Sequence, residues 1–200
     1  EICACLVGSE MCIRDRYGID REYFLYLGTV EPRKNLERLI AAYDQFRQGK
    51  TAPPYLVLAG GKGWLDSGIY KKVEELGLGD LVKFTEYVPD EEICPLMCGA
   101  LAFVFPSIYE GFGLPPLEAM ACGVPVLTTH AASLPEVVGE DAVVADPYSP
   151  ESIAAGLEQL YTDEALRQKL REAGPKRAAQ FTWERSAEQL YAVYQEACRE

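Results

Sequence analysis

Short apolar runs alternate with segments of helical spacing along most of this chain, and that alternation leaves few architectures open. Tyr23–Leu27 and Tyr55–Ala59 are unbroken apolar runs that end in Gly28 and Gly60. Leu81–Phe84, Leu101–Phe105, Val124–Leu127 and Ala142–Val144 read the same way. Strands buried on both faces have this look. Between the first two runs, apolar residues stand at 36, 39, 40, 43 and 46, one face of a helix. Further helices are expected over 69–76, Glu91–Cys98 capped by Asp90, Pro115–Ala121 and Leu134–Val138. Ser149 and Pro150 open another, followed by Glu164–Gln180 and by Trp183–Arg199, with Thr182 as N-cap. The expected class is α/β: about six mostly parallel strands, helices on both faces, and extra C-terminal helices.

Such sheets bind ligands outside the C-terminal strand ends, where strand order reverses. Gly28–Lys34, Gly60–Lys62, Tyr87–Pro89 and Glu110–Gly113 all follow strands, so they should share one rim. The most telling of these segments is Glu110-Gly-Phe-Gly-Leu-Pro-Pro-Leu-Glu118. It sets two carboxylates around a glycine turn and a helix start. Free backbone N–H groups there suit a phosphate. Carboxylates accept hydrogen bonds from hydroxyls, so the fitting ligand carries both, as a sugar nucleotide does. Arg33 and Lys34 read either as a solvated loop or as a diphosphate clamp, and the rim position favours the clamp. Glu118 stands among Pro116, Leu117, Ala119 and Met120, where an unpaired carboxylate is costly. A ribose diol would satisfy it. Gly111 and Gly113 serve either the turn or close ligand approach.

Other chemistries fit less well. A dinucleotide fingerprint from Gly111 would need Gly or Ala where Pro116 stands, and no complete phosphate-loop pattern is present. That disfavours a dehydrogenase or an ATPase. His130 is the only histidine and reads as structural rather than as a general base. Trp64 and Trp183 read as packing residues. With 31 acids against 19 bases and a net charge of −12, a nucleic-acid or membrane-surface partner is disfavoured. Of the seven cysteines, Cys94 and Cys98 are closely spaced, but a structural zinc site would want a second close pair. The cysteines read instead as small buried hydrophobes in a reducing compartment. Residues 1–19 are set apart as a non-native or disordered leader, because their pattern differs from the rest and resembles a cloning scar.

The segments now assembled resemble one family. Glu110 to Glu118 is similar to the E-x7-E motif of retaining GT-B glycosyltransferases of family 4, the glycosyl transferases group 1. Gly28-Thr-Val-Glu-Pro-Arg-Lys-Asn35, Tyr87-Val-Pro-Asp90 and Phe103-Val-Phe-Pro-Ser107 fit the same pattern in order. So do Ala119-Met-Ala-Cys-Gly-Val-Pro-Val126, Ser133-Leu-Pro-Glu-Val137 and Phe181-Thr-Trp183. The resemblance implies a Rossmann-like doubly wound sheet, the C-terminal half of a GT-B fold. Residues 20–182 would form the nucleotide-sugar-binding domain. Residues 183–200 would form a helix crossing back to a preceding acceptor domain that this chain lacks.

The resemblance also implies roles. Arg33 and Lys34 would hold the diphosphate of a nucleoside diphosphate sugar. The N–H groups of Phe112, Gly113 and Leu114 would meet the distal phosphate and sugar, beside Gly28. Glu110 would bind sugar hydroxyls, and Glu118 the ribose. Tyr87 and Val88 would face the base, largely through backbone. No metal or other cofactor is implied, since cations stabilise the leaving diphosphate. Donor C1 would gain oxocarbenium character and be attacked from the leaving-group face, so configuration is retained. The acceptor would be a saccharide or a lipid-linked molecule, and the setting cytoplasmic polysaccharide biosynthesis, peripheral to a membrane in the full enzyme. The isolated half would be inactive. The pattern around Arg33 resembles members that transfer mannose. Other readings are a stand-alone sugar-nucleotide-binding module and a nucleotide-sugar epimerase. Two departures stand out: Glu86 occupies a position where the family often has Gly, and Thr29 one where many members have Arg. Tyr191, Val193 and Tyr194 would be left exposed, a route to self-association.

Overall fold

The computed structural model describes residues 9–61, 63 and 67–198. Lys62, Trp64, Cys3, Cys5 and Arg199 lie outside the described residues. The strands are β1 (Tyr23–Leu27), β2 (Tyr55–Ala59), β3 (Val82–Glu86), β4 (Ala102–Phe105), β5 (Val126–Thr129) and β6 (Val143–Ala145). The helices are α1 (Ser9–Arg16), α2 (Leu36–Arg47), α3 (Ser67–Glu75), α4 (Asp90–Cys98) and α5 (Leu114–Ala121). They continue with α6 (Leu134–Val138), α7 (Pro150–Thr162), α8 (Glu164–Ala178) and α9 (Trp183–Ala197).

All pairings are parallel, in the order β3-β2-β1-β4-β5-β6. The chain steps outward from β1 to β3, returns past β1 to β4, and steps the other way. Right-handed crossovers therefore put α2 and α3 on one face and α4 and α5 on the other. The packing agrees: α2 lies against α3 and α7, α5 against α6 and α8, and α1 against α4. The chain forms the doubly wound α/β sheet that the alternation implied.

Burial explains why the apolar runs become central strands. Every residue of β2, β4 and β5 is buried, while the edge strands β3 and β6 are mostly half-exposed. Each large side chain so buried contributes about 2 kcal/mol. On α2, Leu36, Leu39, Ile40, Tyr43 and Phe46 are all buried, the face expected from spacing. Ser149 accepts the Ser152 N–H at the start of α7, and Thr182 accepts that of Arg185 at the start of α9. Asp90 is not a cap. It is the first residue of α4, preceded by Pro89 with no side-chain cap. There its charge, with Glu91 and Glu92, suits the positive end of the helix dipole.

Three other segments differ from expectation. Strand β5 runs to Thr129, beyond the apolar run, because Thr128 and Thr129 are buried with their hydroxyls satisfied. They donate to the carbonyls of Phe105 and Ser107 at 3.0 and 2.7 Å. Within the segment set apart as a leader, Ile13 and Ile19 lie in the core, and the Tyr17 hydroxyl donates to Glu92 on α4. Helix α9 buries none of its residues, and Trp183 is 84% exposed rather than packed. No helix among the described residues is long and apolar enough to cross a membrane.

Candidate functional site

Strand order reverses between β1 and β4, and the loops after these strands meet there. The first loop leaves β1 through Gly28, forms a 3-10 turn over Pro32–Lys34, and ends at Asn35 in the left-handed region with φ 62°. Several bonds stitch it to the loop after β4. The Ile108 N–H donates to the Arg33 carbonyl at 3.2 Å, and the Arg33 guanidinium donates to the Tyr109 carbonyl at 3.1 Å. Buried Asn35 donates from Nδ2 to the carbonyls of Pro106 and Pro147, at 3.0 and 2.6 Å, and so ties in the loop after β6 as well. Its Oδ1 accepts from Arg38 at 2.8 Å.

This stitching brings the sequence-predicted residues together. Oε1 of Glu110 accepts from Lys34 Nζ at 2.8 Å and from the buried Ser107 hydroxyl at 2.7 Å. Oε2 accepts from Arg33 at 3.1 Å, and Arg33 also donates to Glu31 at 2.6 Å. The Lys34 ammonium lies over the Phe105 ring, 4.8 Å from its centre, a cation–π contact. Burial alone would raise the Glu110 pKa, but Lys34, Ser107 and Arg33 outweigh it and hold the carboxyl below its usual range. The Lys34 side chain is 11% exposed and that of Arg33 44%, so Lys34 is the enclosed cation of the pair and Arg33 the one open to solvent.

Beyond Glu110 the chain turns through Gly113, φ 110°, into α5. Pro115 and Pro116 have no N–H, and the Leu117 N–H goes to the Gly113 carbonyl at 3.4 Å. Among the described residues, no protein acceptor takes the N–H groups of residues 111–114. Four unused amides stand beside two cations, a setting for an anion. The Phe112 ring packs edge-on against Phe181, with centroids 5.8 Å apart. Phe112, Leu114, Leu117, Phe181 and Trp183 line an adjoining cavity of about 490 Å³.

Glu118 lies farther along α5, on its exposed side, and its carboxylate makes no hydrogen bond or ion pair among the described residues. Partial desolvation pushes its carboxyl up. Tyr87 and Val88 follow the edge strand β3, away from the β1–β4 junction. Tyr87 is 72% exposed, whereas the Val88 side chain is in the core, leaving only its backbone to face a ligand. Glu86 before them has φ 59°, at a register irregularity between β2 and β3. That left-handed backbone is the physical reason glycine suits this position. His130 is exposed on the rim after β5.

The spacing of charged residues did not reveal Ser107, Asn35 or Ser133. Each is a small polar residue inside a motif quoted for other reasons. A second gathering lies between α4 and the end of α5, where the sulfurs of Cys94, Cys98 and Cys122 are within 4.8 Å of one another. Cys122 thus supplies the neighbour that sequence spacing lacked. Cys94 is disulfide-bonded, so the three do not form an open thiolate set, and the reading of the cysteines as plain buried hydrophobes does not hold for it. Cys98 and Cys122 are half-buried and Cys198 is exposed.

Residues 13–177 match the family model described as glycosyl transferases group 1. The chain is 43% identical over 172 residues to the O-antigen chain mannosyltransferase B of Escherichia coli, covering 86% of this chain and 45% of that protein. The C-terminal domain of a glycosyl transferase group 1 family protein from Francisella tularensis superposes with a TM-score of 0.74 at 26% identity. That match covers 88% of this chain and 93% of that one. Sucrose-phosphate synthase from Thermosynechococcus elongatus superposes with a TM-score of 0.77 at 29% identity, covering 94% and 49%. The chain spans less than half the length of the curated relatives that head these matches.

Proposed function

The chain belongs to the glycosyl transferases group 1, and from that premise we propose that it is the donor-binding half of a retaining glycosyltransferase. It takes a nucleoside diphosphate sugar, with Lys34 and Arg33 on the diphosphate and the amides of Phe112, Gly113 and Leu114 on its distal phosphate. Glu110 orients sugar hydroxyls and Glu118 accepts from the ribose diol. The observation that carries this reading is the juxtaposition at the β1–β4 junction. Unused amides, two cations and an unpartnered carboxylate on the helix that follows match a ligand bearing both phosphates and hydroxyls.

The chemistry follows from that placement. As the bond from sugar C1 to phosphate breaks, negative charge grows on the leaving diphosphate, and the cations and amides are already aimed at it. No enzyme nucleophile is needed if the acceptor hydroxyl attacks from the leaving-group side and the phosphate takes its proton. The acceptor, a saccharide or lipid-linked molecule, is read mainly by a second half packed against the exposed face of α9. The transferred sugar is a hexose, with mannose favoured by the relatives' names.

Calorimetric titration with GDP, UDP, ADP and GDP-mannose, without metal, tests this. One nucleotide should bind selectively with one site per chain. Binding of none of them would overturn the reading of this rim as a donor site.

A further inference from the structure

Ser133 precedes α6, where a serine side chain ordinarily accepts from a backbone N–H of the first turn. It makes no such bond. Its hydroxyl instead reaches across to the glycine turn, 3.0 Å from the Glu110 carbonyl and 2.8 Å from the Phe112 carbonyl. One hydroxyl proton is shared between two carbonyls, a three-centre bond. In a trans peptide the carbonyl and the next residue's N–H point in opposite directions. Drawing the carbonyls of Glu110 and Phe112 toward Ser133 therefore turns the N–H groups of Gly111 and Gly113 away from α6. These are two of the amides that no protein acceptor takes.

We infer that Ser133 is a positioning residue for anion recognition, holding two peptide planes so that the amides of Gly111 and Gly113 face a phosphate. This rests on the proposed donor site and adds to it an agent that touches no ligand. Glycine needs such an agent. Gly111 has no atom within 4 Å of where a Cβ would stand, so packing does not fix its backbone. At Gly113, a Cβ would meet Leu134, beside Ser133, at 2.8 Å, so the turn must also lie close to the start of α6.

The test is titration of the whole chain with inorganic pyrophosphate, followed by calorimetry and by amide nuclear magnetic resonance, for the native chain, Ser133→Ala and Ser133→Thr. The native chain should bind pyrophosphate with shifts at the Gly111 and Gly113 amides. Ser133→Ala should bind roughly tenfold more weakly, the scale of one lost hydrogen bond, with smaller shifts at those two amides. Ser133→Thr, which keeps the hydroxyl, should restore both, and all three chains should melt alike. Equal affinity for Ser133→Ala and the native chain would overturn the inference and leave the donor site standing. Equal weakness of Ser133→Ala and Ser133→Thr would also overturn it. Failure of the native chain to bind would instead strike the donor-site reading, and this inference with it.

Discussion

The ammonium of Lys34 lies 2.8 Å from Oε1 of Glu110, across 76 positions of sequence, and both side chains are nearly buried. Each member holds the other in place at the point where strand order reverses. Lys34→Met leaves the carboxylate with only Arg33 and Ser107, at an expected cost of about 3 kcal/mol, the scale for breaking a buried ion pair from one side. Adding Glu110→Gln should recover part of that loss, because the orphaned charge is gone. Urea unfolding of the two single variants and the double variant checks this. Strictly additive losses would mean the pair is not coupled.

The path from sequence to this pair shows what was legible. Spacing alone placed Lys34 and Glu110 on one rim, because both follow apolar runs that read as strands of one parallel sheet. It could not show that they touch, since the contact depends on Ile108 bonding to Arg33 and Asn35 bonding to Pro106, both non-local. The apolar face of α2 was legible residue by residue because burial imposes a helical period. The extension of β5 was not, because Thr128 and Thr129 look like loop residues until Phe105 and Ser107 supply acceptors. Trp183 was misread for the opposite reason. Its ring implies burial, but no surface among the described residues covers it.

Glu86 offers a direct test of backbone strain. Its φ of 59° is unfavourable for a side chain bearing a Cβ, by roughly 1 kcal/mol. Glu86→Gly should therefore raise the urea midpoint, even though glycine adds freedom to the unfolded chain. A lowered midpoint would show that the Glu86 side chain contributes more than its backbone costs.

Two glycines of the rim should respond differently to the same substitution. A Cβ at Gly60 would stand 2.1 Å from the Gly28 carbonyl oxygen, with φ already at 139°, so Gly60→Ala must push two loops apart. Gly111→Ala meets nothing within 4 Å. Thermal denaturation should show a large loss for Gly60→Ala and little change for Gly111→Ala. Similar losses at both positions would mean that the glycine turn is constrained by something other than local space.

Glu118 makes the last prediction, because its stability and its proposed task oppose each other. Partial desolvation raises its folded pKa above the ordinary glutamate value, with no partner among the described residues to offset it. Between the unfolded and folded values the native state holds more protons, so stability falls as pH rises through that window. The penalty is complete above the folded value and absent well below 4.5. Glu110 behaves the opposite way: its lowered pKa gives stability that is present above the usual value and lost as pH falls through the folded one. Glu118→Gln should therefore melt higher than the native chain near neutral pH, with the advantage fading in acid. If a ribose diol is the missing partner, its hydroxyls favour the ionised carboxylate. Nucleotide affinity should then weaken as pH falls through the raised value, and Glu118→Gln should bind weakly without that pH dependence. Melting curves and nucleotide titrations across the acid range measure both. A glutamine variant that melts no higher and binds as tightly would remove Glu118 from the site.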